Sequence, residues 1–366
     1  MNPELVSVII PVYKQSEEVL ANLAELSNDK YTKTEITVVV DEPTQEFLKE
    51  LCNFSNVKVI VNKDRKGKVN ALNQAVQSSA GGYLLFADSD VLLPHNIIYN
   101  SVSEIGDNDI LDYSKVGIVK SRISRLTSID YLQAHMISEI FSKISRKTFA
   151  IDGAAFMIKR NALERLGGFR PMVSEDFDLA TRSHRMGLNY KMSCSIKVNV
   201  GQPDNFNEWF MQRIRWAYGM GEWIKQNLKY LFRMVVYSPI IAISAILIML
   251  PTITLGIMLY AIYSKIVSSY FITYIYYTIP SSSVPIREYV ITAYYAEAGK
   301  VVMASFSTFI MLVPLYYYLA KRDGEKFSPL SFAVYYFMYQ PILLMVFLIG
   351  ISLSFMNIKP DINWVT

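Results

Sequence analysis

Tyr83-Leu84-Leu85-Phe86-Ala87 runs apolar into Asp88-Ser89-Asp90. A short apolar run closed by a polar turn has the length of a buried strand. Carboxylates at i and i+2 in extended chain point to one side. Such a strand delivers two acids to whatever lies beyond its tip. The apolar, β-branched pattern recurs upstream at Val6–Val12 (VSVIIPV), Ile36–Val40 (ITVVV) and Val57–Val61. Continuous runs of this kind predict a parallel sheet covered on both faces. Between them, Glu17–Leu26, Thr44–Cys52 and Val69–Ser78 read as helices. Strands alternating with helices predict a doubly wound α/β domain, whose ligands bind outside the carboxyl ends of the strands.

The residues at those ends are the first candidates for a site: Pro11 and Tyr13 after the first strand, Asp41 after the second, Asp88 and Asp90 after the fourth. A single Asp after a strand is usually a cap or turn. Acids at successive ends converge on one crevice, where Asp41 is placed to accept hydrogen bonds from a base or ribose. Gly67-Lys68 opens the third helix. A helix start with Gly and Lys suits a phosphate, although Lys63–Lys68 (KDRKGK) equally fits a solvated basic loop. Hard cations prefer carboxylate oxygen, and Mg²⁺ or Mn²⁺ is often held by one or two carboxylates plus substrate phosphates. Asp88 and Asp90 fit that description, as they fit a plain polar strand end.

Charge is unevenly spread along the 366 residues. The chain carries 36 Lys+Arg and 32 Asp+Glu, yet only 12 of these lie in 234–366. The first part has a soluble composition and the second a membrane-like one. A net charge of +4 gives no case for nucleic acid. Two cysteines, Cys52 and Cys194, make neither a disulfide framework nor a zinc spacing. No signal peptide is read at the N-terminus, so the catalytic part is expected on the cytoplasmic side.

Three uncharged runs, Met234–Ser264, Val301–Ala320 and Phe327–Ile358, each reach the roughly 20 residues a membrane helix needs. They predict spans at about 235–263, 301–320 and 329–356. Basic residues flank the first (Lys225, Lys229, Arg233) and separate the second from the third (Lys321, Arg322, Lys326), which puts those points in the cytoplasm. Three crossings leave the C-terminus outside. The Tyr- and Ser-rich segment Ile266–Ile286 reads as interfacial, and a fourth span there reverses that end. Asn207–Arg233 reads as an amphipathic helix with Trp209, Trp216 and Trp223 seven apart, nearly one face. A Trp stripe with basic residues just before a span fits a helix in the membrane interface; a core-facing stripe is the alternative.

The ordered set IIPVY, VVVDE, GKVNALNQA and FADSD resembles the family 2 glycosyltransferases of GT-A fold. Downstream, Asp152-Gly153, Gly167-Gly168-Phe169 and Ser174-Glu175-Asp176 resemble that family's acceptor side, with Ser174 where many members have Thr. Gln212-Arg213-Ile214-Arg215-Trp216 is similar to the QxxRW motif of its membrane-bound subgroup. The resemblance covers residues 6–220. It implies a Rossmann-like catalytic domain (1–206), an interface helix carrying QxxRW (207–233) and a transmembrane region (234–366). It further implies an inverting hexosyltransferase, with Asp176 as general base and Asp90, aided by Asp88, as ligand of Mn²⁺ or Mg²⁺. Pro11, Tyr13, Asp41, Lys68 and Asp88 would meet the nucleotide. Gly153, Glu175, Gln212, Arg213, Arg215 and Trp216 would meet acceptor or diphosphate. The donor expected is a nucleotide sugar, UDP-linked before GDP-linked. The acceptor expected is a lipid or lipid-linked sugar at the cell membrane. A processive synthase of the cellulose or hyaluronan type shares QxxRW but has more spans. Dolichyl-phosphate sugar synthases generally lack QxxRW. A membrane-tethered binding scaffold or transporter subunit is disfavoured because the three spans contain no ionisable residue.

Overall fold

A computed structural model describes residues 4–148, 150–237 and 284–360. The chain divides into two units, 1–238 with 346–366 and 239–345. In the first, β1 (Val6–Tyr13), α1 (Glu17–Ser27), β2 (Thr34–Asp41), α2 (Gln45–Leu51), β3 (Val57–Asn62), α3 (Lys68–Gln77) and β4 (Tyr83–Ala87) alternate as the sequence predicts. They continue through β5 (Val91–Leu92), α4 (Ile97–Ile105), β6 (Ile110–Gly117), α5 (Arg122–Ser145), β7 (Ala155–Lys159), α6 (Arg160–Leu166), α7 (Glu175–Met186), β8 (Tyr190–Val200) and α8 (Phe206–Tyr237).

The eight strands form one sheet in the order β3-β2-β1-β4-β7-β6-β8-β5. The sheet is not wholly parallel. β3, β2, β1 and β4 are parallel, but β7 runs antiparallel to both β4 and β6. The reversal matters for the site. Ala87 pairs with Ala155, so the segment leading into β7 arrives beside the carboxyl end of β4.

Period-two alternation sorts the core. Val6, Val8, Ile10 and Val12 face a layer with Val19 and Leu23 of α1 and Phe47 of α2. Ile9 and Val39 face the opposite layer with Leu72 of α3, Leu163 of α6 and Leu179 of α7. Each fully buried Val, Leu or Ile contributes about 1.5–3 kcal/mol, so a strand buried on both faces is held firmly at its tip. Polar clamps fix the turns around that tip. Ser16 caps α1 by accepting from Val19 N at 3.2 Å, and its hydroxyl donates to Ser89 O at 2.6 Å. Asn73 of α3 grips Phe169, accepting from its N–H at 3.0 Å and donating to its carbonyl at 2.8 Å.

Two of the three Trp of the α8 stripe face protein, and Trp216 is half-buried. Trp209 and Trp223 are buried. Trp223 Nε1 donates to Thr181 Oγ1 at 2.8 Å and its ring packs on Phe177 at 5.9 Å. At Trp223 the stripe packs α8 on α7, as the core-facing alternative expects. On another side of α8, Gly350 lies so close that an added Cβ would stand 2.5 Å from Ala217 Cβ.

In the second unit the helix Val284–Asp323 contains the expected 301–320 segment, with Pro314 inside it. Phe332 stacks on Phe309 at 5.6 Å and on Tyr316 at 4.6 Å. Pro329–Val334, a π-helical turn Tyr335–Tyr339 and Gln340–Phe355 form a continuous helical stretch. Among the described residues, this stretch, Pro329–Phe355, is long and apolar enough to cross a membrane. Residues 238–263 of the expected span 235–263, and most of 266–286, fall outside the described residues.

Candidate active site

The carboxyl ends of β1, β2 and β4 open on one side of the sheet, and the starts of β7 and α7 join them. Lys68, the first residue of α3, reaches across this space. Its Nζ lies 2.8 Å from Asp88 Oδ1 and 2.8 Å from Glu175 Oε1. Burial works against the ammonium charge, but Asp88 and then Glu175 overcome it, and the Lys68 pKa rises. One cation thus bridges the metal-candidate turn and the start of α7.

Asp88 is anchored by its own N–H, which donates to Ala154 O at 2.8 Å. Burial pushes the Asp88 carboxyl up to about 7, with Lys68 opposing and Asp90 adding repulsion. Asp90 is more open. The surrounding protein still raises its pKa, while Lys68 and Arg215 pull the other way. Asp176 is pushed up to about 7 by burial first and then by Glu175, with Lys68 opposing and Asp152 adding to the rise. Its Oδ1 accepts from Phe177 N at 2.7 Å, and Oδ2 lies 3.4 Å from Gly153 N. A Cβ at position 153 would sit 3.0 Å from Asp176 Oδ2, so glycine is what lets the carboxylate lie against this backbone.

These shifts describe a cluster short of positive charge. Asp88, Asp90, Glu175 and Asp176 crowd around Lys68, and burial raises Asp88, Asp90 and Asp176 above the ordinary carboxylate range. Among the described residues no three His, Cys, Asp or Glu side chains form a ready-made metal cage. Two carboxylates at a turn with spare negative charge nevertheless fit a hard divalent ion that completes its shell with phosphate oxygens and water. Asp88 and Asp90 would hold it.

Other expected residues fall in different places. Pro11 is buried within β1, opposite Val39, and does not line the cleft. Tyr13 is exposed; its hydroxyl lies 3.1 Å from Glu42 Oε2 and the Arg65 guanidinium covers its ring at 4.1 Å. Asp41 is buried. It accepts from Asn62 Nδ2 at 2.9 Å, Lys66 N at 2.9 Å and Gly67 N at 2.8 Å. The backbone N–H groups ahead of α3, read as a phosphate cradle, are therefore given to Asp41, and it is the Lys68 side chain that enters the site. Gly67 permits the turn with φ 88°. On α8, Arg215 of the QxxRW residues acts on the carboxylate cluster, through Asp90. Arg213 is buried, ion-paired with Asp130 at 3.0 Å and stacked on Trp216 at 4.4 Å, so it fastens α8 to α5. Gln212 Oε1 is buried without a hydrogen-bond partner among the described residues.

A buried polar group under the site was missed. Asp112 of β6 contacts the Lys115 ammonium and accepts from Tyr190 Oη at 3.1 Å and Asp152 N at 3.3 Å. Burial raises the Asp112 carboxyl against the pull of Lys115. This pair supports the 152–154 loop, whose other contacts are Asp88 and Asp176. Two charges inside the otherwise apolar ILDYSKVG were the available signal.

Residues 7–167 match the sequence model of Glycosyl transferase family 2. A protein of Sulfolobus acidocaldarius named "Probable glycosyltransferase" is 27% identical over 254 residues, 63% of this chain and 53% of that protein. The poly-beta-1,6-N-acetyl-D-glucosamine synthase of Staphylococcus aureus is 21% identical over 224 residues, 59% of this chain and 54% of that protein. The chain thus spans about half the length of these relatives. Among solved structures, the mannosyltransferase PcManGT from Pyrobaculum calidifontis, in complex with GDP-Man and Mn²⁺, superposes with TM-score 0.55 at 16% identity, covering 98% of this chain and 89% of that one. The chain has the mixed α/β, Rossmann-like GT-A fold.

Proposed function

We propose that the chain is a metal-dependent, inverting glycosyltransferase that moves a sugar from a nucleotide sugar to a lipid or lipid-linked acceptor. The observation that carries this is the Asp88–Lys68–Glu175 bridge, which ties the Asp88-Ser89-Asp90 turn to the start of α7, beside Asp176, at a carboxyl-end crevice. In the transfer, the bond from the anomeric carbon to the diphosphate oxygen breaks and its electron pair leaves with the nucleoside diphosphate. The acceptor oxygen bonds to the opposite face of that carbon, and its proton passes to Asp176. A carboxylate with pKa about 7 suits a general base at neutral pH. A divalent ion held by Asp88 and Asp90 would offset charge developing on the diphosphate. Lys68 and Arg215 add fixed positive charge there, and Tyr13 offers its ring to the base. Gly153 and Glu175 shape the acceptor side, and Gln212, Arg213 and Trp216 set α8 beside it.

The apolar stretch Pro329–Phe355 and the uncharged run from Met234 support an integral protein of the cell membrane with its catalytic unit in the cytoplasm. Lys225 Nζ donates to Ser354 O and to Asn357 Oδ1, so the end of that stretch lies against α8. This supports an even number of crossings between Arg233 and Asn357 rather than three. UDP-sugars are the first donors to test and GDP-sugars the second, the latter by analogy with the mannosyltransferase. The similarity to a polymer synthase favours a second reading, processive transfer. Incubation of the purified protein with each donor, Mn²⁺ and membrane lipid extract, followed by mass spectrometry, tests both. One added sugar per lipid is the expected product. A ladder of long polymer supports the second reading, and no transfer to any acceptor overturns both.

A further inference from the structure

Four large apolar side chains stand exposed at three helix ends. Ile144 (60% exposed) closes α5, Met186 (47%) closes α7, and Leu228 (58%) and Phe232 (72%) lie one turn apart near the end of α8. Contacts gather these ends together: Arg146 O, just past α5, accepts from Tyr190 N at 2.7 Å, four residues beyond Met186. His184 Nδ1 meets the Tyr230 hydroxyl, and Arg185 Nη2 donates to Asn227 Oδ1 at 2.8 Å. The Arg185 guanidinium also covers the Tyr230 ring at 4.1 Å. Lys147, just beyond α5, stands near enough to act on His184.

The same surface is basic. Nearby Lys143 and Arg146 are matched by Glu139 and Asp107. Lys147, Arg185, Lys229 and Arg233 have no carboxylate partner among the described residues. Single exposed apolar residues are ordinary. Apolar tips interleaved with unmatched cations are the composition of a surface that enters a headgroup layer.

An apolar run leaves α8 at this same end. The uncharged run starts at Met234, directly after Arg233. The end of the Pro329–Phe355 stretch is held by Lys225 through Ser354 and Asn357. On the membrane reading above, on which this inference rests, the uncharged run that starts at Met234 brings a bilayer surface to residues 225–233, while the Pro329–Phe355 stretch runs back along α8 as far as Ala217. We propose that the joined ends of α5, α7 and α8 form a docking face for anionic lipid headgroups. The four basic residues meet the phosphates and the four apolar tips enter the interface. The cluster Asp88, Asp90 and Asp176 takes no part in it.

The test uses the full chain with Cys52→Ser and Cys194→Ser, reconstituted in nanodiscs. Single cysteines replace Ile144, Met186 or Leu348 and carry a fluorophore quenched by doxyl-labelled lipid. The discs contain phosphatidylcholine alone, or with about one-third phosphatidylglycerol. Leu348, exposed on the apolar stretch, reports on the membrane reading. Positions 144 and 186 report on the docking face. The expected result is quenching at 348 in both discs, and at 144 and 186 only with the anionic lipid. Salt near 0.5 M should release the latter two, as should K147Q/R185Q/K229Q/R233Q. A surface-bound cation is worth about fivefold in local affinity, so removing two should already release most of the signal. Quenching at 348 with none at 144 or 186 refutes the docking face and leaves the membrane reading standing. Equal quenching at 144 and 186 in both discs refutes the anionic specificity. No quenching at 348 removes the membrane reading and this inference with it.

Discussion

Replacing Lys68 by Met removes the cation shared by Asp88 and Glu175 while keeping most of the apolar stem. Breaking a fully buried ion pair costs about 3–5 kcal/mol. Here the Lys68, Asp88 and Glu175 side chains are 35%, 27% and 11% exposed, so solvent screens part of that loss. The expected destabilisation is about 1–2 kcal/mol at pH 8 in metal-free protein, or roughly 2–8 °C in Tm for a domain of this size. The effect must depend on pH, with a definite sign. Asp88 titrates near 7 when folded, above its ordinary carboxylate value. A carboxyl with a raised folded pKa adds stability at low pH and loses it as pH rises through about 7. At pH 5.5 Asp88 is protonated, Lys68 has already lost that partner, and the K68M deficit should shrink by about half. Thermal unfolding of wild type and variant in detergent, at pH 5.5 and 8 with chelator, checks this. An equal shift at both values, or none at pH 8, refutes the charge-bridge reasoning.

Other outcomes follow from the same geometry. Gly153→Ala places a methyl 3.0 Å from Asp176 Oδ2; misplacing a reacting group by about 1 Å costs up to 10²-fold, so kcat should fall by that order with little change in Tm. Turnover should rise with pH along a limb near 7 as Asp176 loses its proton, and a pH–rate profile of kcat shows whether that limb exists. Gly350→Val drives a side chain into Ala217 and Ile214 O and should cost about 1–3 kcal/mol, partly restored by Ala217→Gly in a thermal-shift measurement. Lys115→Met leaves Asp112 buried and uncompensated, for a loss of about 3–5 kcal/mol, whereas D112L/K115M should recover much of it.

The first half of the sheet could be read from sequence because β1, β2 and β4 are buried on both faces and the edge strand β3 keeps a β-branched run. β4 has the bounds its apolar run predicts, and β1 to β3 differ by one or two residues. The antiparallel half could not. β6 carries Asp112 and Lys115, and β8 (YKMSCSIKVNV) mixes polar residues with a register shift between Tyr113 and Ser114 of its partner, so neither shows a clean period. At the site, the acids were visible one by one, but their sharing of Lys68 is a tertiary fact joining residues 68, 88 and 175. The partners of Asp41 were hidden for a related reason. Its position at a strand end was visible, but the two backbone N–H groups it accepts from lie 25 and 26 residues on. The Trp repeat fixed which face of α8 is special without saying what meets it, since a bilayer and the flank of α7 both bury Trp.

Nucleoside diphosphate release by purified wild type and by Asp176→Asn, at saturating nucleotide sugar, Mn²⁺ and lipid acceptor, tests the central claim most directly. Loss of a general base lowers turnover by about 10²–10⁴-fold. That loss is expected in the variant, with Tm unchanged or raised because Asn carries no charge into the carboxylate cluster. Release within a few-fold of wild type by a folded Asp176→Asn protein would contradict the assignment of Asp176 as the base.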